Sequence, residues 1–520
     1  MKATFQFGSG HLTIGICLDI ASGKCKGIID PEAQQRINRS RAAVEEIVHH
    51  EKPVYGINTG FGPLCDTHIS EADTSLLQSN ILKSHSVGVG KPIPIEIAKL
   101  MLITKVHALA QGYSGIRLEV LNRIIWHIDN DLIPIVPKKG SVGASGDLAP
   151  LSHLFLPLIG LGHVNDQGTQ VTAKAALAKY NLESLNLGPK EGLALINGTQ
   201  FILAFAVKAV ERLHQALERA DLIGAMSLEG SMGSARPFDP RLHQLRPFQG
   251  TILVAKHLHT LLDGSEILNA HTHCNRVQDP YSLRCMPQVH GASRNAWLHL
   301  KQLTETELNS VTDNPIIFNA EDTISGGNFH GQPLAMVLDY ATVAAAELGN
   351  IADRRCYLMS EGRYGLPKLL VPDAGLDSGL MIPQYTTAAL VTENKTLCFP
   401  ASADSVPTSL GQEDHVSMGS ISARKLHQVL ENLEYIQAIE LLYATQALDF
   451  RRPLNSTPVI EACYALVRRQ VPFIDHDRVF ADDINAIHQL LTSGELLIKA
   501  AETASANHLN LFNDDLFGIY

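Results

Sequence analysis

The stretch Phe201-Ile-Leu-Ala-Phe-Ala-Val-Lys-Ala-Val-Glu-Arg-Leu-His-Gln-Ala-Leu-Glu-Arg-Ala220 sets Leu203, Val207, Val210, Leu213, Leu217 and Ala220 at steps of three and four. That is the spacing of one apolar face of an α-helix. Leu426, Val429, Leu433, Ile436, Ile439 and Tyr443 repeat it. A single helix over Met418 to Leu448 would be roughly 46 Å long at about 1.5 Å per residue. A third pattern runs from Leu334 to Met359 with Ala344, Ala345 and Ala346 inside it, small enough for close helix packing. Long helices with few strands between them predict a mainly α fold built on a long-helix bundle.

Toward the N-terminus the pattern is more mixed. The first twenty or so residues alternate enough to suggest short strands. Pro31 then opens a helix, a position that suits its fixed φ. Further helical patterns run roughly over Glu71 to Ser86, Ile95 to Gln111 and Leu118 to Asp129. Length alone suggests two to four domains for 520 residues. We divide the chain into a smaller mixed region, 1–200, and a helical region, 201–520. Hydrophobic content of 45% and charged content of 18% are those of a globular protein. The net charge of -11, with no basic block, argues against nucleic acid and anionic membrane as partners. There is no signal-peptide core and no uninterrupted apolar run of bilayer length. Eight scattered cysteines without a Cys-x-x-Cys fit reduced thiols and a cytoplasmic setting.

The loops of a helical protein are where sites tend to sit, and one loop is unusual. It reads Gly140-Ser-Val-Gly-Ala-Ser-Gly-Asp-Leu-Ala-Pro150. The Gly146 nitrogen, with no Cβ beside it, can approach the Ala144 carbonyl. Attack there closes a five-membered ring, and loss of two waters leaves an exocyclic methylidene at Ser145. The result is an electrophile, which no ordinary side chain supplies. Two plainer readings compete. The segment also suits a turn before a helix, capped by Asp147. A nucleophilic serine fits poorly, because the serine elbow is Gly-x-Ser-x-Gly and here the second glycine comes one position early.

Taken with its flanks through His153, this loop resembles the signature of the aromatic amino acid ammonia-lyases, whose Ala-Ser-Gly cyclises to 4-methylidene-imidazol-5-one. The resemblance covers nearly the whole chain. It recurs in Val54-Tyr-Gly-Ile-Asn-Thr-Gly-Phe-Gly62, Leu193-Ala-Leu-Ile-Asn-Gly-Thr-Gln200 and Gln278-Asp-Pro-Tyr-Ser-Leu-Arg284. It continues in Thr312-Asp-Asn-Pro315, Gly327-Asn-Phe-His330 and Gln412-Glu-Asp-His-Val-Ser-Met418. Within the family, Ser84-His85 and Gln412-Glu413 resemble the histidine-specific branch, which releases ammonia from L-histidine to give urocanate. The chemistry agrees: an imidazole N–H can donate to a carboxylate, whereas a phenyl ring would leave it unpaired.

The resemblance implies a role for each matching residue. Ala144, Ser145 and Gly146 would form the electrophile with no metal or dissociable cofactor, and the substrate amine would add to it. Tyr55 would remove the β-proton, which requires the site to favour phenolate over a phenol of pKa about 10. Arg284 would hold the substrate carboxylate in its planar fork. Asn197, Gln278, Tyr281, Asn314 and Phe329 would line the site. Of these, Asn197 and Tyr281 would hold the electrophile and amine, and Phe329 would pack near the ring. Glu413 and His85 would recognise or help activate the imidazole. Related enzymes are tetramers whose sites are lined by several subunits, so a homotetramer is expected.

Two alternatives stay open on sequence: a tyrosine or phenylalanine lyase or 2,3-aminomutase with the same electrophile, and an inactive helical homologue. The sequence departs from the family pattern at Gly411, Met286 and Phe155, which bears on pocket shape. A separate cluster of His257, His259, His271, His273 and Cys274 has no standard zinc spacing. Its expected role is surface or subunit contact.

Overall fold

The computed structural model describes residues 3–49, 53–64, 66–67, 69–271, 276–512 and 514–520. Its centre is a bundle of long helices: Gln200–Gly230, Met286–Leu308, Gln332–Ser360 and Gly419–Asp449. The Gly419–Asp449 helix packs along both Gln332–Ser360 and Gln200–Gly230, and Met286–Leu308 closes the other side. Both long periodic patterns are therefore single helices. Ala344, Ala345 and Ala346 are all buried at the tight crossing. The Gln332–Ser360 helix is long and apolar enough to cross a membrane by composition, but 72% of its most apolar window is buried inside the protein.

The N-terminal half wraps one end of this bundle. Its helices Pro31–His49, Glu71–His85, Ile95–Ala110 and Leu118–Asp129 lie close to their sequence-predicted bounds. Strands are few and short; Ala3–Phe7 pairs in parallel with Cys25–Ile29. The start of the chain is not all strand, as the alternation suggests. Ile14–Ala21 is a helix, with the Thr13 hydroxyl accepting the Ile16 N–H and Ile14, Cys17 and Ile20 buried on one face. A side-chain cap and an i, i+3, i+6 stripe override the apparent alternation there.

The bundle interior is not wholly apolar. Arg294 pairs with Glu218 at 2.7 Å and with Asp221 at 2.6 Å. Asp221 also takes His290 at 2.8 Å and His257 at 3.1 Å. His257 is thus a core residue and not the surface or subunit contact expected from its neighbours in sequence. His259 is exposed, and His271 lies 3.3 Å from the Arg276 guanidinium. His273 and Cys274 fall outside the described residues.

Candidate active site

Three helices begin around residues 140–147: Leu148–Phe155, Gln200–Gly230 and Gly419–Asp449. Their N-terminal N–H groups and dipoles make this a region that favours negative charge. The loop is fixed from both sides. Met418 N–H donates to the Val142 carbonyl at 2.9 Å, and the Ser420 hydroxyl donates to the Ser141 carbonyl at 2.6 Å. Gly143, Ser145 and Gly146 all have positive φ, at 81°, 49° and 79°. A Cβ on Gly146 would run into the Gly198 carbonyl oxygen, and one on Gly143 would meet the Ser417 hydroxyl. Glycine at 146 is therefore a steric necessity.

Asp147 does not cap the helix that follows it, as the plainer reading had it. Its carboxylate reaches across to accept the Ile202 N–H and the Ser141 hydroxyl, both at 3.0 Å. Burial pushes its pKa up to about 7, against the pull of those hydrogen bonds. A local turn motif could not reveal that link, because the partner lies 55 residues away.

Ser145 opens onto a cavity of about 850 Å³. Tyr55, His85, Ser145, Asn197, Asn314, Phe329 and Glu413 all line it, drawn from segments spread over most of the chain. Tyr55 sits on the turn after the first long helix, and the Gly62 N–H donates to its phenol oxygen at 3.1 Å. Asn197 caps the Glu191–Ile196 helix and donates through Nδ2 to the Asn314 carbonyl at 3.0 Å. Its Oδ1 is buried without a protein partner, an acceptor left for a ligand's donor. Asn314 is pinned by Gly326 N–H at 2.7 Å and by its own bond to Ser325 at 3.1 Å.

Glu413 stands opposite. One carboxylate oxygen accepts the Ser145 hydroxyl at 2.6 Å; the other accepts Ser409 at 2.7 Å and Thr408 at 3.1 Å. His85 closes the Glu71–His85 helix, with its Nδ1 2.9 Å from the Ser84 hydroxyl. Burial lowers the pKa of His85, a neighbouring backbone bond to Ile81 and the charge of Glu413 opposing it. Thr408 and Ser409 were not singled out in the sequence; the turn just before Glu413 brings their hydroxyls onto its carboxylate.

Gln278, Tyr281 and Arg284 are absent from this cavity's lining. They form a patch of their own. Arg284 donates to the Asp279 carbonyl at 3.0 Å and to the Gln278 amide oxygen at 3.1 Å, and lies over the Tyr281 ring. Tyr281 is 70% exposed. Of the three departures from the family pattern, Phe155 is packed in the core, Met286 is buried against Gly224, and Gly411 has open space around it.

Residues 12–469 match the aromatic amino acid lyase family. The chain belongs to that family. Other aromatic amino acid lyases similar to it include the histidine ammonia-lyase of Myxococcus xanthus, 46% identical over 94% of this chain and 96% of that protein. The histidine ammonia-lyase of Vibrio cholerae is 47% identical over 90% and 93%. Among solved structures, the histidine ammonia-lyase of Trypanosoma cruzi superposes with a TM-score of 0.88 at 40% identity, covering 96% of this chain and 95% of that one. A tyrosine aminomutase from Streptomyces globisporus reaches 0.91 at 34% identity, covering 98% and 99%. The mainly helical architecture is therefore that of the family's lyases and aminomutases.

Proposed function

We propose that this chain is a histidine ammonia-lyase, converting L-histidine to trans-urocanate and ammonia. The observation that carries the substrate is Glu413, a carboxylate facing the same cavity as Ser145 and His85. A carboxylate there can accept an imidazole N–H, and a phenyl ring offers it nothing. Relatives that are 45–47% identical and named for histidine support the same reading.

The electrophile we propose is made from the loop itself. The Gly146 nitrogen bonds to the Ala144 carbonyl carbon, the Ala144 oxygen leaves as one water, and the Ser145 hydroxyl leaves as a second. The positive φ angles and the absent Cβ at Gly146 fit that closure. When formed, the group supplies a carbon that accepts the substrate amine and makes it a better leaving group. The remaining work belongs to side chains. Tyr55, with Gly62 N–H on its oxygen, takes the β-proton. Asn197 Oδ1 accepts from the substrate amine. Glu413 and His85 hold the imidazole, and Phe329 packs beside it.

Arg284, with Gln278 and Tyr281, holds the substrate carboxylate, and we propose that this patch comes from another copy of the chain in a homotetramer. Exposed Met336, Tyr340, Val343 and Tyr357 on the central helix, with Ile382 and Tyr385 beside it, support self-association. We place the assembly in the cytoplasm.

Mixing tests the shared site. Tyr55→Phe and Arg284→Ala chains, each nearly inactive alone, should regain part of the turnover when co-refolded, and light scattering should give four chains. No regain would place Arg284 outside the site.

Glu413→Gln tests the substrate. Charge-assisted hydrogen bonds contribute roughly 1.5–3 kcal/mol, about ten- to a hundred-fold. L-Histidine turnover should fall at least that much, and trace turnover of L-phenylalanine far less. An unchanged ratio would favour the tyrosine, phenylalanine or aminomutase readings.

A further inference from the structure

We propose that Lys105 is a positioning residue for this reaction: its ammonium holds the Asn197 carbonyl and so directs the Gly198 N–H onto the Ser145 carbonyl. The inference rests on the function proposed above.

Lys105 lies on the Ile95–Ala110 helix and is only 1% exposed. A helical lysine ordinarily extends its charge to water; this one points inward. Its Nζ is 2.5 Å from the Asn197 carbonyl oxygen and 3.5 Å from the Gln200 amide oxygen. A second buried lysine, Lys190, pairs with Asp313 at 2.6 Å. Asp313 spends its other oxygen on the Asn314 N–H at 2.7 Å. Lys190 takes the carboxylate, and the hydrogen-bond partners of Lys105 are neutral oxygens. Burial pushes its pKa down to about 7, with Asp313 pulling it up and Lys190 down. An incompletely paired buried charge is a poor stabiliser, and apolar packing would serve the core better.

The charge has a path to the reacting atoms. A strong hydrogen bond on a peptide oxygen polarises that peptide and improves its N–H as a donor. The Asn197 carbonyl and the Gly198 N–H belong to one peptide. That N–H faces the Ser145 carbonyl oxygen at 3.4 Å. After the ring closure proposed above, the Ser145 carbonyl is conjugated with the carbon that accepts the amine. Electron density arriving with the amine collects on this oxygen, where a fixed donor stabilises it. Only glycine fits at 198: its φ is +133°, and a Cβ there would strike Gln200 and Thr312. The Gln200 amide is itself oriented, since its Nε2 donates to Thr312 at 2.9 Å.

The test is Lys105→Met in the full-length protein. We expect kcat for L-histidine to fall about ten- to a hundred-fold, as for loss of a charge-assisted bond. KM should stay within about threefold, since this bond acts on the reacting atoms and not on ground-state binding. The near-ultraviolet difference band of the dehydrated loop should move to shorter wavelength, because its carbonyl loses polarisation. Lys105→Arg, which keeps a cation, should recover part of kcat. Gln200→Glu serves if Lys105→Met does not fold. It sets a carboxylate beside the ammonium, and should lower kcat and move the band in the same direction. Unchanged kcat and band in Lys105→Met, or in Gln200→Glu where that variant decides, overturns the inference alone. A wild-type loop that has not lost two waters overturns the proposed function with it.

Discussion

Ser145→Ala is expected to abolish turnover, by roughly a thousand-fold or more, since no side chain replaces the electrophile. The substitution removes the hydroxyl that must leave, so the second water cannot be lost. The fold should survive. Glu413 stays held by Ser409 and Thr408 through one carboxylate oxygen, whether or not residue 145 carries a hydroxyl. Alanine also tolerates the local φ of 49° about as well as serine does. Circular dichroism and native mass should match wild type, and the near-ultraviolet difference band should vanish. Wild-type turnover in this variant would exclude Ser145 as the source of the reactive group.

Tyr55→Phe carries the second large effect. It keeps ring volume in the cavity wall while removing the oxygen that Gly62 N–H holds. General-base removal typically costs about a hundred- to ten-thousand-fold, and kcat should fall within that range. The loop should still have lost its two waters, which separates loss of the base from loss of the electrophile. Activity within a few-fold of wild type would assign the proton to another group.

The helices that build this protein were legible where one face is purely apolar, as in Leu203 to Ala220 and Leu426 to Tyr443. They were hidden where the buried face is polar. Met286–Leu308 buries His290, Ser293 and Arg294 beside Trp297 and Leu300, so its apolar period is broken although the helix is 23 residues long. Glu218 and Asp221, some 70 residues away, pair with its Arg294, and the Ser293 hydroxyl donates to the Ala344 carbonyl, so that this face is satisfied inside the bundle. His257 looked like part of a histidine cluster for the same reason: its partner Asp221 is distant in sequence.

The site divides similarly. Seven residues singled out from motifs meet at one cavity because each motif sits at a helix end or on a loop between packed helices. Gln278, Tyr281 and Arg284 belong to the same set of motifs yet lie on a separate patch, because motif order in the chain does not state which loops the fold brings together. Lys105 gave no signal at all. Its helix reads as apolar core, and its meaning comes from contacts with Asn197 and Gln200, some 90 residues away.

The most direct measurement adds L-histidine to the purified protein and follows urocanate absorbance together with ammonia release. We predict one urocanate and one ammonia per histidine consumed, with L-tyrosine and L-phenylalanine turned over far more slowly. Absence of urocanate, or faster turnover of either phenyl substrate, would contradict the assignment of Glu413 and with it the proposed function.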